Sequence, residues 1–279
     1  MKVDLDRVIQ VMRMAHRKDL TSYDESFLAK SLEKRCAEIG IVDVDAYSEY
    51  LSGSADEADA LSLTLQITYS EFFRNSLTFA LLEHLVLPRI KKENQGREGG
   101  EIRVWSAGCA AGQESYSVAI LLEDMLNASE QPVPYRIFAT DISEYELARA
   151  ATGVYDAAAV QNVRLKHLAA YFWSHGETYE VVPRLKAHID FSSCDLLDEH
   201  STSPPSSIYG DFDLVICSNL LFYYRREIRQ FIIDKLFHSL SPGGYLVTSE
   251  AEREILEQTD GLYPVFRPAA VYRKGRRGS

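Results

Sequence analysis

Val104-Trp105-Ser106-Ala107-Gly108-Cys109-Ala110-Ala111-Gly112-Gln113-Glu114 reads as a strand running into a glycine loop and then into a helix that begins near Gln113. The two glycines stand in a G-x-x-x-G spacing, which is not the G-x-G-x-x-G of a dinucleotide fold. At the C-terminal edge of a parallel sheet, a loop of this kind lets backbone amides come close to a bound nucleoside. Gly108 is therefore a candidate ligand contact. A plain strand–helix turn accounts for the same residues, and the loop alone leaves both readings open.

On either side of this loop the pattern repeats. Ile102–Ala107, Tyr135–Thr140 and Phe212–Cys217 are short apolar runs suited to buried strands, and helix-period segments at Glu114–Asn127, Glu144–Ala151 and Arg226–Leu240 alternate with them. Strands alternating with amphipathic helices predict an α/β fold, a doubly wound sheet of about seven mostly parallel strands. Pro242-Gly243-Gly244 reads as a turn into a strand over Tyr245–Ser249, and Ala270–Arg273 as the last strand. Tyr179–Val182 and His188–Phe191 read as a small antiparallel insert at about residues 173–190, and Ser201–Ser207 as a surface loop. Upstream the period is helical throughout, with Leu5, Val8, Ile9, Val11 and Met12, then Phe27, Leu28, Leu32, Cys36 and Ile39, at spacings of three and four. The expected organisation is a helical domain over 1–90, a Gly- and charge-rich linker over 91–101, and an α/β domain over 102–279.

Composition narrows the function classes. The 279 residues are 46% hydrophobic and 25% charged, as in an ordinary globular protein. The net charge of −11 disfavours nucleic acid and anionic membranes as partners. No apolar run reaches the roughly 18 residues of a membrane span, and the N-terminus lacks the apolar core of a signal peptide. Cys36, Cys109, Cys194 and Cys217 are widely spaced, so free thiols in a reducing cytoplasm are expected, with no metal site. Arg273–Ser279 reads as a frayed basic tail.

Three further stretches carry chemistry. Asp141 ends the second strand, where a carboxylate can accept hydrogen bonds from both ribose hydroxyls of an adenosine; the alternative is a cap on the helix that follows. Asp195 stands where it can accept the adenine amino hydrogen, or is simply a loop residue. Thr68-Tyr69-Ser70-Glu71-Phe72-Phe73-Arg74 brings hydroxyls, an aromatic pair and an arginine together. One Phe ring is expected in the core and one at a pocket, and Arg74 is able to fork a carboxylate. Cys217-Ser218-Asn219-Leu220-Leu221-Phe222-Tyr223-Tyr224 leaves the fourth strand with polar groups and then aromatics, where an open sheet meets its reacting partner.

Taken together, Phe72-Phe73-Arg74, the W-S-A-G-C-x-x-G-x-E-x-Y-S of Trp105–Ser117, Ala139–Ile142, Gly153-x-Tyr155, Phe212–Val215 with Cys217 and Asn219, and Pro242–Gly244 resemble the CheR family of chemotaxis-receptor glutamate methyltransferases. The resemblance covers nearly the whole chain. It implies a monomeric, cytoplasmic enzyme that uses S-adenosylmethionine, leaves S-adenosylhomocysteine, and acts on the cytoplasmic domain of methyl-accepting receptors without inserting into the membrane. It further implies that Thr68, Ser70, Arg74, Glu114, Asp141, Asp195, Leu196, Ser218 and Asn219 hold the cofactor, and that Arg89, with Lys91 or Lys92 as alternatives, and Tyr223 act at the substrate carboxylate. The chain departs from the family pattern at Thr68, which replaces a common Asn, and at Ser218, which replaces a usual Arg. Gln113 and Ser115 replace a common Glu and Pro. Two other readings share these residues: a methyltransferase of the same fold with another acceptor, and a cofactor-binding signalling module without turnover.

Overall fold

The computed structural model describes residues 5–66, 69–95, 100–207 and 210–275. The tail Arg276–Ser279 and the candidate Thr68 lie outside the described residues. Two compact units are present: Met1–Ile67 with Leu220–Gln230, and Thr68–Asn219 with Phe231–Ser279.

The first unit contains α1 (Leu5–His16), α2 (Glu25–Ile39), α3 (Val44–Gly53) and α4 (Ala55–Leu65). Side chains of Asp24, Asp43 and Ser54 accept backbone N–H groups at the starts of α2, α3 and α4. The apolar stripes of these helices bury Val8, Met12, Leu28, Leu32, Tyr47, Leu51 and Leu61. Arg35 forks onto the buried Glu57 at 2.8 and 2.7 Å, and the Tyr47 hydroxyl donates to the same carboxylate at 3.0 Å. Leu220–Gln230 completes this unit. Asp24 N–H donates to Tyr223 O at 2.8 Å, Arg225 N–H donates to Ser22 O at 2.9 Å, and Tyr23 stacks on Tyr224 at 5.4 Å. A division read from composition along the chain assigns this segment to the α/β domain; its backbone bonds and rings assign it to the helices.

The second unit opens with α5 (Ser76–Leu81), a π turn over Leu82–Val86, and α6 (Leu87–Gln95). The expected linker is therefore helical as far as Gln95, because the apolar face of Val86, Leu87 and Ile90 continues to Asn94, whose side chain donates to Ile90 O at 3.1 Å. Next come β1 (Ile102–Ala107), α7 (Gln113–Asn127), β2 (Tyr135–Asp141), α8 (Glu144–Thr152), β3 (Val154–Asp156), α9 (Leu165–Tyr171), β4 (Phe172–His175), β5 (Thr178–Val181), α10 (Pro183–Lys186) and β6 (Ile189–Ser193). The remainder is β7 (Phe212–Ile216), α11 (Arg226–Ser239), β8 (Leu240–Val247), α12 (Arg253–Leu256), β9 (Leu262–Pro264) and β10 (Val271–Lys274).

Among the described residues the main sheet has seven strands in the order β6-β2-β1-β7-β8-β10-β9. It is parallel from β6 to β8, and β10 runs antiparallel between β8 and β9. β1 lies between β2 and β7, with Val104 opposite Ile137 on one side and Leu214 on the other. The order therefore reverses between β1 and β7, which is where a doubly wound sheet opens a crevice for its ligand.

Three expectations change. The insert is three-stranded, β3-β5-β4, and His188–Phe191 contributes not to it but to β6, pairing in parallel with β2. Its alternating residues suit either partner, and the short helix α10 separates it from the hairpin. Pro242-Gly243-Gly244 lies inside β8 rather than before a strand, and a Cβ at Gly244 would meet Phe212 O at 2.8 Å. Arg273 and Lys274 are not a frayed tail: they belong to β10, with Arg273 donating to Gly243 O at 3.0 Å and Lys274 to Phe237 O and Leu240 O at 2.7 Å.

Candidate active site

The loop after β1 is shaped by left-handed backbone at Gly108 (φ 74°), Ala110 (φ 44°) and Gly112 (φ 87°). Gly108 and Cys109 both donate to Thr140 O, at 2.8 and 2.9 Å, which lays the loop across the end of β2. Gly112 starts α7 in close contact with neighbours: a Cβ there would sit 2.9 Å from Ala150 Cβ and 3.2 Å from Phe191 Cε1.

Asp141 spans the same edge. Its Oδ2 accepts from Ala110 N at 2.8 Å and its Oδ1 from Ser143 N at 2.9 Å. The cap of α8 is Ser143, whose hydroxyl accepts from Glu146 N, so the helix-cap reading of Asp141 passes to its neighbour. Burial raises the Asp141 carboxyl, against the backbone donors of Ser143, Ala110 and Ile142. A carboxylate has about four acceptor positions, so these backbone donors leave capacity for a ligand hydroxyl.

Beside this loop a cavity of about 420 Å³ is lined by Arg74, Glu114, Ser218 and Asn219, with the Thr248–Ala251 segment as one wall and Asn75–Phe79 as another. Glu114 is the second residue of α7 and accepts from Ser106 Oγ at 3.3 Å. Burial pushes its pKa up to about 7 and the nearby negative charge of Glu252 adds to the rise, while the hydroxyls of Ser218 and Ser106 and the charge of Arg74 oppose it. Arg74 is exposed, its guanidinium 5.1 Å from the Tyr69 ring centre. The turn that carries it is fixed from behind. Phe73 has φ 51° and donates its N–H to Ser117 Oγ on α7 at 3.1 Å. Phe72 is in the core against Tyr155 and Phe172. Phe73 packs on Phe79 and on the buried His167, and is not among the cavity-lining residues as expected of the second ring.

The remaining candidates are not among the residues that line this cavity. Ser70 is half-buried in the segment before Phe72. Asp195 is exposed, accepting from Leu197 N at 2.8 Å, and the following Leu196 is buried. Lys235 on α11 holds their loop by donating to Leu196 O at 2.8 Å and Asp198 O at 2.7 Å. Arg89 is exposed on α6 and does not line the cavity. Tyr223 belongs to the helical unit, where its ring meets Phe27 edge-on at 4.7 Å. Sequence reading missed Glu252, although Ser249-x-x-Glu252 is a capping-box spacing that marks a helix start after a strand.

With this geometry in view, the comparisons with known proteins are specific. The family described as CheR methyltransferase, SAM binding domain, matches residues 68–267. A chemotaxis protein methyltransferase of Listeria innocua is 29% identical, covering 87% of this chain and 86% of its own. Chemotaxis protein methyltransferase 1 of Pseudomonas aeruginosa is 32% identical over 72% of each chain. An uncharacterized 104.1 kDa protein of Rhodobacter capsulatus is 27% identical over 98% of this chain, which spans 29% of that relative's length.

Proposed function

Since the chain belongs to the CheR methyltransferase family and is an S-adenosylmethionine-dependent methyltransferase, we propose that its acceptors are glutamate side chains in the cytoplasmic domains of methyl-accepting chemotaxis receptors. The family match supports the acceptor, and the observation that carries the cofactor half of this reading is one cavity lined by both Arg74 and Glu114. The amino-acid end of S-adenosylmethionine bears a carboxylate and an ammonium, and these two side chains are its chemical complement. When bound, the cofactor supplies an electrophilic methyl on a sulfonium.

In this reading Arg74 forks the cofactor carboxylate and Glu114 accepts from its ammonium, with Ser218 and Asn219 alongside. Asp141 accepts from the ribose hydroxyls at the edge where Gly108 allows close approach, while Asp195 and Leu196 take the adenine. Thr68 and Ser70 add hydroxyls from the segment before Arg74. Arg89 and Tyr223 orient the acceptor carboxylate. A glutamate side chain has a reference pKa of about 4.3 and is already a nucleophile at neutral pH, so no strong general base is required. Alignment and exclusion of water carry the rate. The protein acts as a monomer in the cytoplasm; no described helix is long and apolar enough to cross a membrane.

The test is to incubate the purified chain with methyl-labelled cofactor and receptor cytoplasmic fragments. Label on the fragments that base releases as volatile methanol identifies a carboxyl ester. Label that resists base, or none with any receptor fragment, rejects the reading. Arg89→Ala and Tyr223→Phe are expected to slow transfer while leaving the affinity for S-adenosylhomocysteine unchanged.

A further inference from the structure

The side chain of Glu252 is 0% exposed and follows directly on Glu250 and Ala251 of the cavity wall. Its Oε2 accepts from Asn219 N at 2.9 Å, from Ser249 N at 3.0 Å and from Ser249 Oγ at 2.8 Å. These donors follow β7 and β8, neighbouring strands whose last shared bond is Cys217 N–H to Val247 O at 2.9 Å. Beyond that bond the chains part, and Asn219 turns in left-handed backbone with φ 60°. One carboxylate oxygen thus ties together the two segments that supply Ser218, Asn219 and Ser249 to the cavity. The Ser249 donors belong to a capping box, and Asn219 N–H adds a third, charge-assisted donor from the end of the neighbouring strand.

We propose that Glu252 is a positioning residue for methyl transfer, clamping the ends of β7 and β8 around the cofactor's amino-acid end and setting by its charge how Glu114 meets the cofactor ammonium. The inference rests on the cofactor reading of the cavity. The groups facing Glu114 are Arg74 from the turn before α5, Glu252 beyond β8, and the thiols of Cys109 and Cys217, both held protonated by burial; Glu250 is exposed on the cavity wall. Arg74 favours the ionised form of Glu114, and Glu252 disfavours it. A ligand ammonium arriving at Glu114 reverses that balance and expels the proton, so cofactor affinity falls as the pH drops below neutrality.

Clamp and charge are separable by substitution. Glu252→Gln keeps an acceptor oxygen of the same reach and removes the charge; Glu252→Asp keeps the charge and shortens the reach. S-adenosylhomocysteine binding to the full chain is measured calorimetrically from pH 5.5 to 8.5, and the Glu114 carboxyl is titrated by carbon-13 NMR in the ligand-free proteins. For Glu252→Gln the expected affinity at pH 8 is within about threefold of the parent, with the Glu114 midpoint and the acid limb of binding lowered by roughly half to one pH unit. For Glu252→Asp the expected affinity at pH 8 is about tenfold weaker, with the midpoint unmoved. Matching behaviour of the two variants, or an unmoved midpoint in Glu252→Gln, overturns the proposal. A parent protein that fails to bind S-adenosylhomocysteine counts instead against the cofactor reading, and the ligand-free titration still decides the role of Glu252.

Discussion

If Glu114 meets the cofactor ammonium as proposed, binding and folding make opposite demands on it. Its pKa rises from 4.5 to about 7 in the folded protein. A carboxyl raised in this way contributes stability that is full below pH 4.5 and is lost as the pH climbs through 7, because the ionised form is poorly solvated where it lies. Glu114→Gln keeps the neutral shape at every pH. Urea denaturation should show this variant more stable than the parent by at most roughly 3 kcal/mol at pH 8, shrinking below about 1 kcal/mol at pH 5. The same variant should lose most of its S-adenosylhomocysteine affinity at pH 8. Equal stability differences at both pH values would mean that Glu114 ionises freely. Asp141 combines the two roles differently, since its carboxylate binds two backbone N–H groups. Asp141→Ala should cost about 1–3 kcal/mol of stability for the released donors and a similar amount of cofactor affinity. Calorimetry separates these: lost stability with unchanged affinity would reduce Asp141 to a strut for the loop.

Among the elements, α7 depends on its first turn more than on its length. Gly112 combines φ 87° with approach distances of 2.9 and 3.2 Å to Ala150 on α8 and Phe191 on β6. A methyl group there strains the backbone and forces apart two packed elements, so Gly112→Ala should destabilise by about 2–4 kcal/mol in urea. Such a variant should also weaken cofactor binding, because the same turn carries Ala110 and Glu114. The glycine spacing made this loop legible from sequence, and the central strands were equally plain: β1 has the bounds its apolar run suggests, and β2 and β7 differ by a residue. What sequence did not disclose were choices among partners. His-Ile-Asp-Phe at 188–191 alternates polar and apolar residues, a pattern that serves the insert or the sheet edge equally well. Phe73 is partly buried and turns away from the cavity onto His167, which lies far along the chain. Glu252 was visible only as part of a helix-start motif, and its bond to Asn219 joins residues 33 positions apart. Arg74, Glu114, Ser218 and Asn219 were all named from sequence and share one cavity; the wall opposite them was not.

For the molecule as a whole, the assignment of Leu220–Gln230 matters most. The segment is continuous in sequence with the sheet on both sides, but its rings and backbone bonds are made with Tyr23, Asp24 and Phe27. A fragment beginning at residue 68 would keep Tyr223 and Tyr224 and lose the Phe27 and Tyr23 rings packed on them. It should elute as aggregate in size-exclusion chromatography, and co-expression with residues 1–67 should recover a soluble complex. A monodisperse fragment 68–279 would show that the aromatic segment is stable alone.

The helical unit is therefore encoded in two separated stretches of one chain, with residues of the sheet unit between them and after the second. A recombination breakpoint at the boundary near residue 68 separates the larger part of that unit from the eleven residues of 220–230 that complete it. Exchanging leaders between relatives would succeed only when Tyr23, Asp24 and Phe27 travel with a compatible partner segment from far downstream. Inheritance of this unit is then a matter of paired change at distant sites, and a hybrid's fitness should follow the match between those two stretches more closely than the overall similarity of its parents.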